Sequence, residues 1–375
     1  MRVVGLMSGT SMDGLDAAVA ELEWAGSAVA MSPLRHIERP WPDEVRARLH
    51  ASLGPTTAGE LCELDQLIGQ ASAELAAELL PADLIVSHGQ TVHHWVQDGE
   101  AKGTLQLGQP AWIVEATGRP VISDVRARDI AAGGHGAPLA GILDDLWLRG
   151  EHTRAALNLG GIANVTIVRR GRPPLAFDTG PANCLLDEAA RRTTGRPSDE
   201  DGRLAARGTP DAALLQGLLD DPYYALAPPK STGREHFRLG DLPDLAPEDL
   251  LATLTELTAL TVVEALAPYA PAEVVASGGG VRNPALLAAL ERRLPLTVSD
   301  ERGLPAQAKE AYLMALIGFL AWHQVPLLTG PHVLGRISPG DAPFALPPPA
   351  APPTGLLIRY WRAPQPRSRP RAPMR

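Results

Sequence analysis

The strongest constraint on the fold is a pattern that occurs twice along the 375 residues of the chain. In the first copy, two apolar strands at Val3–Met7 and Leu15–Leu22 flank a polar, glycine-bearing turn. In the second copy, strands at Ala155–Leu159 and Val165–Val168 flank the glycine-rich residues 160–164. Short apolar runs bounded by turn residues are typical of buried strands. The pattern therefore predicts two hairpins that open two similar α/β units.

Each hairpin is followed by the same further elements. Residues 60–80 have apolar side chains at helical spacing, and the short strand Asp83–Val86 then leads into a loop at residues 87–90. In the second copy, a helix with apolar positions from Leu250 to Leu266 precedes the strand Glu273–Ala276. A chain of this length suggests two domains. The two copies share negligible sequence identity, so the predicted duplication rests on the pattern of elements alone.

Composition excludes several classes of protein. Hydrophobic residues make up 45% of the chain and charged residues 21%, as in a globular protein. The net charge of -9 and the 4% of aromatic residues argue against nucleic acid as a partner. Two cysteines provide neither a disulfide framework nor a cysteine-rich metal site. We find no apolar run of about 18 residues and no signal-peptide pattern, which predicts an intracellular protein without a membrane span.

The first turn, Ser8–Gly14, carries two glycines, three hydroxyl side chains and Asp13. Glycine lets the main chain approach a ligand closely, and successive N–H groups form a concavity for anions. Asp13 is a candidate ligand of Mg²⁺ through water, since hard cations prefer oxygen. The turn is therefore a candidate polyphosphate site. The same residue types also occur in ordinary hairpin turns, and the turn alone leaves that alternative open.

Two further glycine-rich segments support a nucleotide site. Asn158–Asn164 occupies the equivalent place in the second unit, so two turns could clamp a phosphate chain from both sides. Ser277–Pro284 follows a strand with three glycines, and such bare backbone can pack against a flat ring. The chain contains neither the G-x-G-x-x-G fingerprint nor a P-loop motif. The pattern therefore differs from the common nucleotide-binding motifs.

Asp178 is the candidate general base. It ends an apolar strand, and a Gly-Pro turn then leads to a helix predicted at Asn183–Arg192. A carboxylate on a rigid element beside a cleft is suited to take a proton from a hydroxyl group or water. The alternative is that Asp178 caps the N-terminus of that helix.

Histidines cluster at His88, His93 and His94. Histidine is a common metal ligand, but the run contains no carboxylate and no H-E-x-x-H motif. Polar contacts with a ligand from His88, Gln90 and Thr91 are the favoured interpretation.

These segments together resemble the anhydro-N-acetylmuramic acid kinase family. The segments that carry the resemblance are Gly5–Asp16, Val86–His94, Asp124–Leu139, those beginning at Asn158, Phe177 and Ser277, Pro229–Phe237, Lys309–Ala311 and Val333–Ile337. The match extends over residues 1–340 in the order of the family. The sequence departs from it at His135, where glutamine is expected, and at Pro331, where alanine often follows Thr-Gly.

The resemblance implies an α/β fold of two ribonuclease-H-like domains, each a mixed sheet flanked by helices, around a central nucleotide and substrate cleft. The implied boundaries are residues 1–130, residues 131–340, and a Pro/Arg-rich tail at residues 341–375. This superfamily includes sugar kinases, heat-shock chaperones and actin. The implied architecture agrees with the duplicated pattern.

The resemblance also implies the residues of the site. The residues around ATP are Gly9, Thr10, Ser11, Met12, Asp13, Gly14, Leu15, Asp16, Gly160, Gly161, Asn164, Gly278, Gly279, Gly280 and Asn283. The residues that contact the substrate are His88, Gln90, Thr91, Arg126, Asp129 and Glu310. Asp178 matches the catalytic aspartate, and Asp13 is expected to hold Mg²⁺ with ATP.

The family chemistry implies that ATP, water and 1,6-anhydro-N-acetylmuramic acid give N-acetylmuramic acid 6-phosphate and ADP, in peptidoglycan recycling in the cytoplasm. A homodimer is compatible with the resemblance, and neither nucleic acid nor membrane is an expected partner. Two alternatives stay open at this stage. One is a metal-dependent transfer enzyme of the same superfamily, and the other is a non-catalytic sugar sensor or actin-like protein.

Overall fold

The structure, a computed structural model, describes residues 1–9, 11–241, 244–328 and 331–359. The predicted ATP contact Thr10 and the tail residues 360–375 lie outside the described residues.

The first sheet has eight strands and takes residues from both ends of the described chain. Its strands are β1 (Arg2–Ser8), β2 (Gly14–Ala25), β3 (Ala28–Pro40), β4 (Leu84–Gln97), β5 (Glu100–Leu107), β6 (Val121–Ser123), β12 (Arg336–Ser338) and β13 (Leu356–Ile358). The order is β12-β6-β4-β1-β2-β3-β13, and β5 pairs with β4 beside this path. β1 and β2 form the predicted hairpin, and β4 lies parallel to β1.

The second sheet repeats the arrangement of the first with five strands. These are β7 (Arg154–Leu159), β8 (Ile162–Val168), β9 (Leu175–Pro181), β10 (Glu273–Ser277) and β11 (Leu296–Val298). Their order, β9-β8-β7-β10-β11, matches β3-β2-β1-β4-β6 of the first sheet strand for strand. In both sheets an antiparallel meander is continued by parallel strands. The predicted duplication and the predicted fold class, mixed sheets flanked by helices, are confirmed.

Helices cover both sheets. They are α1 (Asp43–Ala51), α2 (Ala58–Ala77), α3 (Pro110–Thr117), α4 (Ala127–Ala131), α5 (Ala140–Leu148), α6 (Asn183–Thr194), α7 (Ala212–Leu219), α8 (Pro247–Leu266), α9 (Pro284–Glu291) and α10 (Lys309–Trp322). α2 packs on the outer face of the first sheet, and α8 and α9 pack on the outer face of the second. α5 and α10 lie between the two sheets, where their apolar side chains share one core with Val86 and Val275. The cleft therefore lies between two layered units joined by a continuous core.

The sequence patterns correctly predict most of the helices and strands, but some of their boundaries differ in the structure. The two hairpins, α2, α6, α8 and the short strand β10 are confirmed within a few residues. The loop predicted at residues 87–90 is wrong, because β4 continues through it to Gln97 and pairs with β5. Gly89 has a φ of +72° there, at an irregularity in the pairing of β4 with β1. The bulge lets the strand continue although its local sequence resembles a turn.

The predicted domain division stays a prediction, but sheet membership differs from it in one respect. α10, β12 and β13 follow the second sheet in sequence, and all three pack in or on the first sheet. Gly5 of β1 makes this possible, since a side chain there would collide with the backbone of Ala311 in α10. Part of the segment expected to be a Pro/Arg-rich tail forms the strand β13, which pairs parallel to β3.

One helix of the described residues, Pro247–Tyr269, is long and apolar enough to cross a membrane by length and composition. Within its most apolar window, 67% is buried inside the structure. This burial is typical of the core helix of a globular protein, so the helix is weak evidence for a membrane span.

Candidate active site

The first turn faces residues of the second unit. Burial raises the pKa of Asp16 of β2, and the positive charge of Arg282, beyond the three glycines, partly opposes that rise. Burial also raises the pKa of Asp187 of α6, and the negative charge of Asp13 in the first turn adds to that rise. Such charge effects fall off with distance, so they link groups on both sides of the cleft. The first turn, the start of α6 and the loop at residues 278–282 therefore lie around one space.

Buried polar side chains hold the first turn in place. Gln90, completely buried, donates a hydrogen bond from Nε2 to the carbonyl of Gly9 at 3.1 Å. Its Oε1 lies 2.6 Å from Ser8 Oγ, which also lies 2.8 Å from the carbonyl of Gly14. The single hydroxyl proton of Ser8 serves one of these acceptors at a time. The network ties both ends of the turn to β4.

Two residues that are predicted to contact ATP have side chains buried in the apolar core rather than in the cleft. Met12 and Leu15 are each 2% exposed and belong to the apolar core beneath the hairpin. Only their backbone is available to a ligand. By contrast, Asp13 is exposed. Asp16 is half-buried, and burial, followed by the charges of Glu38 and Glu310, raises its pKa to about 7.

The second turn is held mainly by main-chain hydrogen bonds, together with one side-chain bond from Asn183 Nδ2 to the carbonyl of Leu159 at 3.1 Å. The carbonyl of Gly161 accepts from the N–H groups of Ala182 and Cys184, both at 3.0 Å, and that of Gly160 accepts from Asn183 N–H at 3.1 Å. These donors lie at the start of α6, where N–H groups lack partners within the helix. The turn and α6 thus form one rigid unit at the edge of the cleft.

The third glycine segment packs closely on the second turn. Gly278 has a φ of +88°, and a Cβ there would lie 2.5 Å from Asn158 Oδ1, so only glycine fits. A Cβ on Gly279 would meet no atom nearer than Asn183 Nδ2 at 4.0 Å, which leaves open space above it. Asn283, predicted to contact ATP, instead caps α9 by accepting from Leu286 N–H at 3.1 Å.

Asp178 lies within β9, opposite Asn164 of β8. Its neighbour Phe177 points into the core under α8, so alternation along the strand turns Asp178 to the other face, toward the cleft. Asp178 Oδ2 accepts from Thr232 N–H at 2.9 Å and from Ser231 Oγ at 3.0 Å. Among the described residues, none donates a hydrogen bond to Oδ1. One carboxylate oxygen is held and the other is available to a ligand.

Burial raises the pKa of Asp178, and the hydrogen bonds from Thr232 and Ser231 oppose this rise. The prediction that Asp178 ends its strand is wrong, since β9 continues to Pro181. Capping of α6 by Asp178 is also excluded, because Ala182 occupies the cap position and no side chain caps there. Sequence reasoning missed the contacts from Ser231 and Thr232, although both lie in the Pro229–Phe237 motif.

The predicted substrate residues His88 and Arg126 form one hydrogen-bonded chain. His88 Nδ1 lies 2.7 Å from the carbonyl of Gly89, and its Nε2 accepts from Arg126 Nε at 2.8 Å. Arg126 also donates to the carbonyl of Gly136 at 2.8 Å. Burial, followed by the charge of Arg126, lowers the pKa of His88 to about 4. Because both ring nitrogens are engaged and the ring is neutral, His88 orients Arg126 and is unsuited to bind a metal.

Glu310 lies at the start of α10 and faces the same space. Its side chain is exposed, yet protein surrounds it closely enough that desolvation raises the pKa of its carboxyl. An accessible group surrounded by protein lies in a recess. The positive charges of Lys309 and, after it, Arg126 oppose this rise in pKa. Glu310 Oε2 would lie 3.9 Å from a Cβ built on Gly9, so the carboxylate lies beside the first turn.

Three other predicted substrate residues are engaged within the protein. Gln90 is buried under the first turn, as described above, and cannot contact a sugar while it holds Gly9. Asp129 is 3% exposed, and its Oδ2 accepts from Gly136 N–H at 2.8 Å. Thr91 accepts from Gln106 Nε2 at 3.0 Å. Gln90 and Asp129 therefore shape the site from beneath rather than line it.

Comparison with known proteins decides the family. The family model for anhydro-N-acetylmuramic acid kinase matches residues 1–338. A Streptomyces coelicolor protein of that name is 50% identical, with 95% of this chain and 98% of that protein covered. A Rhodococcus erythropolis protein of the same name is 47% identical, with 91% and 95% covered. The chain belongs to the anhydro-N-acetylmuramic acid kinase family. It is therefore a kinase that uses ATP and acts on a sugar substrate.

Solved structures with similar folds include two sugar kinases. The ROK hexokinase from Thermus thermophilus is 17% identical with a TM-score of 0.38, and the match covers 85% of this chain and 98% of that one. A ROK family glucokinase from Streptomyces griseus, solved with glucose and AMPPNP, is 11% identical with a TM-score of 0.38, covering 85% and 99%.

The geometry of this kinase fits a nucleotide. A Cβ on Gly9 would meet nothing nearer than Ser11 Oγ at 3.8 Å, so the turn leaves room for a ligand against its backbone. The described residues contain no group of three or more His, Cys, Asp or Glu side chains that could hold a metal ion. A site built wholly from such side chains is thus not found in the part of the kinase that the structure describes.

Proposed function

We propose that this kinase hydrolyses the internal glycosidic bond of 1,6-anhydro-N-acetylmuramic acid and transfers the γ-phosphoryl group of ATP to O6. The products are N-acetylmuramic acid 6-phosphate and ADP, and the reaction belongs to peptidoglycan recycling. The names of the relatives support this substrate. The observation that carries the proposal is the Asp178 carboxylate, with one oxygen held by Ser231 and Thr232 and the other facing the cleft.

Asp178 Oδ1 takes a proton from water, and the water oxygen attacks the anomeric carbon. The bond between that carbon and O6 breaks, and its electron pair stays on O6. Water must approach from the face opposite the leaving oxygen, as in inverting glycosidases. The raised pKa of Asp178 brings the base closer to neutral pH, where proton transfer is most effective.

No general acid is needed if O6 is captured as it leaves. The oxygen attacks the γ-phosphorus, a P–O bond forms, and the bond to ADP breaks, so charge passes from O6 to the leaving phosphate. Arg126, oriented by His88, and the neighbouring Glu310 are the groups suited to hold the sugar. Holding water, sugar and phosphate in line supplies much of the rate enhancement in such transfers.

The two turns and the 278–280 glycines are the proposed ATP site. Gly9, Gly160 and Gly279 expose backbone to the phosphates and the adenine ring of ATP. The start of α6 adds a partial positive charge. Mg²⁺ would be shared between phosphate oxygens, water and Asp13, which matches the exposed position of that carboxylate. A cytoplasmic location and a homodimer stay predictions.

The test is ADP production by the purified kinase with and without the anhydro sugar. We expect ADP release to require both the sugar and Mg²⁺, and the 6-phosphate to appear in equal amount. Glucose at the same concentration is the matched control for a generic sugar kinase. Comparable turnover with glucose, or full activity in EDTA, would contradict the assignment.

A further inference from the structure

We propose that Arg234 binds the γ-phosphoryl group of ATP and stabilises the negative charge that develops on it during transfer. The proposal rests on the proposed function and adds a residue to its site. Arg234 lies in the motif Pro229–Phe237. On one side of it are Ser231 and Thr232, which bind Asp178, and on the other is Phe237, which packs in the core near α6.

The guanidinium of Arg234 occupies the space beside the second turn. A Cβ built on Gly161 would lie 2.5 Å from Arg234 Nε and 2.7 Å from its Nη2. The planar cation therefore lies where a side chain of residue 161 would begin. The absence of a side chain at Gly161 brings a positive charge to the turn proposed to face the phosphates.

Arg234 has no hydrogen bond or ion pair with any side chain in the described part of the chain. Other arginines of the same unit are paired, as Arg192 is with Glu188 and Arg207 with Glu248. The charge of Arg234 acts on Asp187 of α6, which in turn senses Asp13 of the first turn. A cation with donors that no described side chain uses thus lies beside the second turn.

The same segment is fixed at its other end. Lys230 Nζ donates to the carbonyls of Tyr223 and Tyr224, both at 3.1 Å, and lies over the Tyr223 ring. Lys230 is therefore engaged in the protein, and Arg234 is the cation of this segment that is available to a ligand. Ser231 and Thr232 bind Asp178, the proposed general base. A phosphate bound beside Arg234 would therefore be the γ-phosphate, at the end of the nucleotide where the reaction takes place.

The chemistry of arginine suits this position. Its guanidinium offers a planar fork of donors that matches two phosphate oxygens. In phosphoryl transfer, charge spreads over the equatorial oxygens, and an arginine supplied from the same chain can contribute a factor of about 10³ or more. Supplying this charge from the segment that holds Asp178 places water activation and phosphoryl capture under one loop.

The experiment compares Arg234→Ala and Arg234→Lys with Arg238→Ala, which removes another exposed arginine, one residue beyond the motif Pro229–Phe237. We expect Arg234→Ala to lower kcat by about 10²-fold or more. Calorimetry should show weaker binding of ATP and nearly unchanged binding of ADP. Free guanidinium should restore part of the activity of Arg234→Ala, and Arg234→Lys should recover only part, because it keeps the charge without the fork.

Unchanged ATP affinity and kcat in a folded Arg234→Ala variant would overturn the role of Arg234, as would equal losses of ATP and ADP binding. Equal losses in Arg238→Ala would also contradict it. If Arg234→Ala does not fold, Arg234→Lys and its ATP-to-ADP affinity ratio decide in its place. Sugar-dependent ADP release by the unaltered protein tests the proposed function separately, so the two failures are distinguishable.

Discussion

The two hairpin turns occupy equivalent places in equivalent sheets, but they are held in different ways. The first is supported from beneath by Ser8 and the buried amide of Gln90. The second is fixed by main-chain bonds to the start of α6 and has the Arg234 guanidinium beside it. Duplication therefore preserved the topology and not the support. The first turn depends on neutral buried polar groups, whereas the second adjoins the charged groups that are proposed to take part in the reaction.

The two units contribute different groups to the proposed site. Asp178 and Arg234 both belong to the second unit, and the first unit contributes Asp13 of the first turn and Arg126, which is proposed to contact the sugar. Changes in the second unit should therefore affect turnover more than stability. Changes in the support of the first turn should affect stability more than the chemical step.

The largest effect is expected from Asp178→Asn. The amide keeps the shape but cannot take a proton, so both ring opening and phosphorylation should fall together by about 10²–10⁴-fold. Following both products by chromatography tests this. The melting temperature is the control, because Asp178 caps no helix and its loss should leave the fold intact. Formation of either product at a near-normal rate would break the assignment of chemistry to the second unit.

The next effect is expected from Gln90→Leu, which removes the support of the first turn. The buried Gly9 carbonyl and Ser8 hydroxyl lose a partner, which costs about 1–3 kcal/mol of unfolding free energy. Denaturant unfolding measures it. Ser8→Ala combined with Gln90→Leu should cost less than the sum of the single changes, because one orphaned group is removed. Strict additivity would show that the two side chains do not act as a pair.

A smaller and pH-dependent effect is expected from Ser231→Ala. The Ser231 hydroxyl bonds the charged form of Asp178 and opposes the rise in its pKa that burial causes, so removing the hydroxyl should raise that pKa further. The acidic limb of the pH profile of kcat/KM should move to higher pH. The variant should lose activity at pH values below the new pKa of Asp178 and change little at pH values above it. Ser231→Thr keeps the hydroxyl and is the matched control. An unmoved limb with a uniformly lower rate would indicate a structural role only.

The smallest effect concerns the stability of the two turns. Gly9→Ala has open space, and Gly161→Ala displaces only the flexible end of the exposed Arg234 side chain, so both variants should keep the melting temperature. Thermal unfolding without nucleotide compares the two variants. A clearly lower melting temperature for Gly161→Ala would show that the guanidinium supports the second turn and is not free to move.

Sequence reasoning succeeded where the signal is local. Short apolar runs, turn glycines and helical spacing located both hairpins, α2 and α8, and the pattern of elements revealed the duplication. It failed where a contact comes from far along the chain. The bonds from Ser231 and Thr232 reach Asp178 across more than fifty residues, and no periodicity reports them.

The same limit applies to individual side chains. Gln90, Asp129 and Asn283 are polar residues in motifs that resemble ligand-binding loops. Each makes at least one hydrogen bond with the backbone of the protein itself. Polar type and motif membership do not distinguish a side chain that lines a site from one that supports it, because that depends on which way the strand or helix faces.

The packing of α10 on the first sheet has a consequence for synthesis on the ribosome. β1, β2 and β4 are complete by residue 97, but the helix that covers Gly5 and Val86 begins at Lys309. While the intervening two hundred residues are made, one apolar face of the nascent sheet has no covering helix. Contacts between distant parts of a chain also form slowly. The first unit to be translated is therefore the last to be finished, and a chain released before α10 would expose this face to chaperones and proteases.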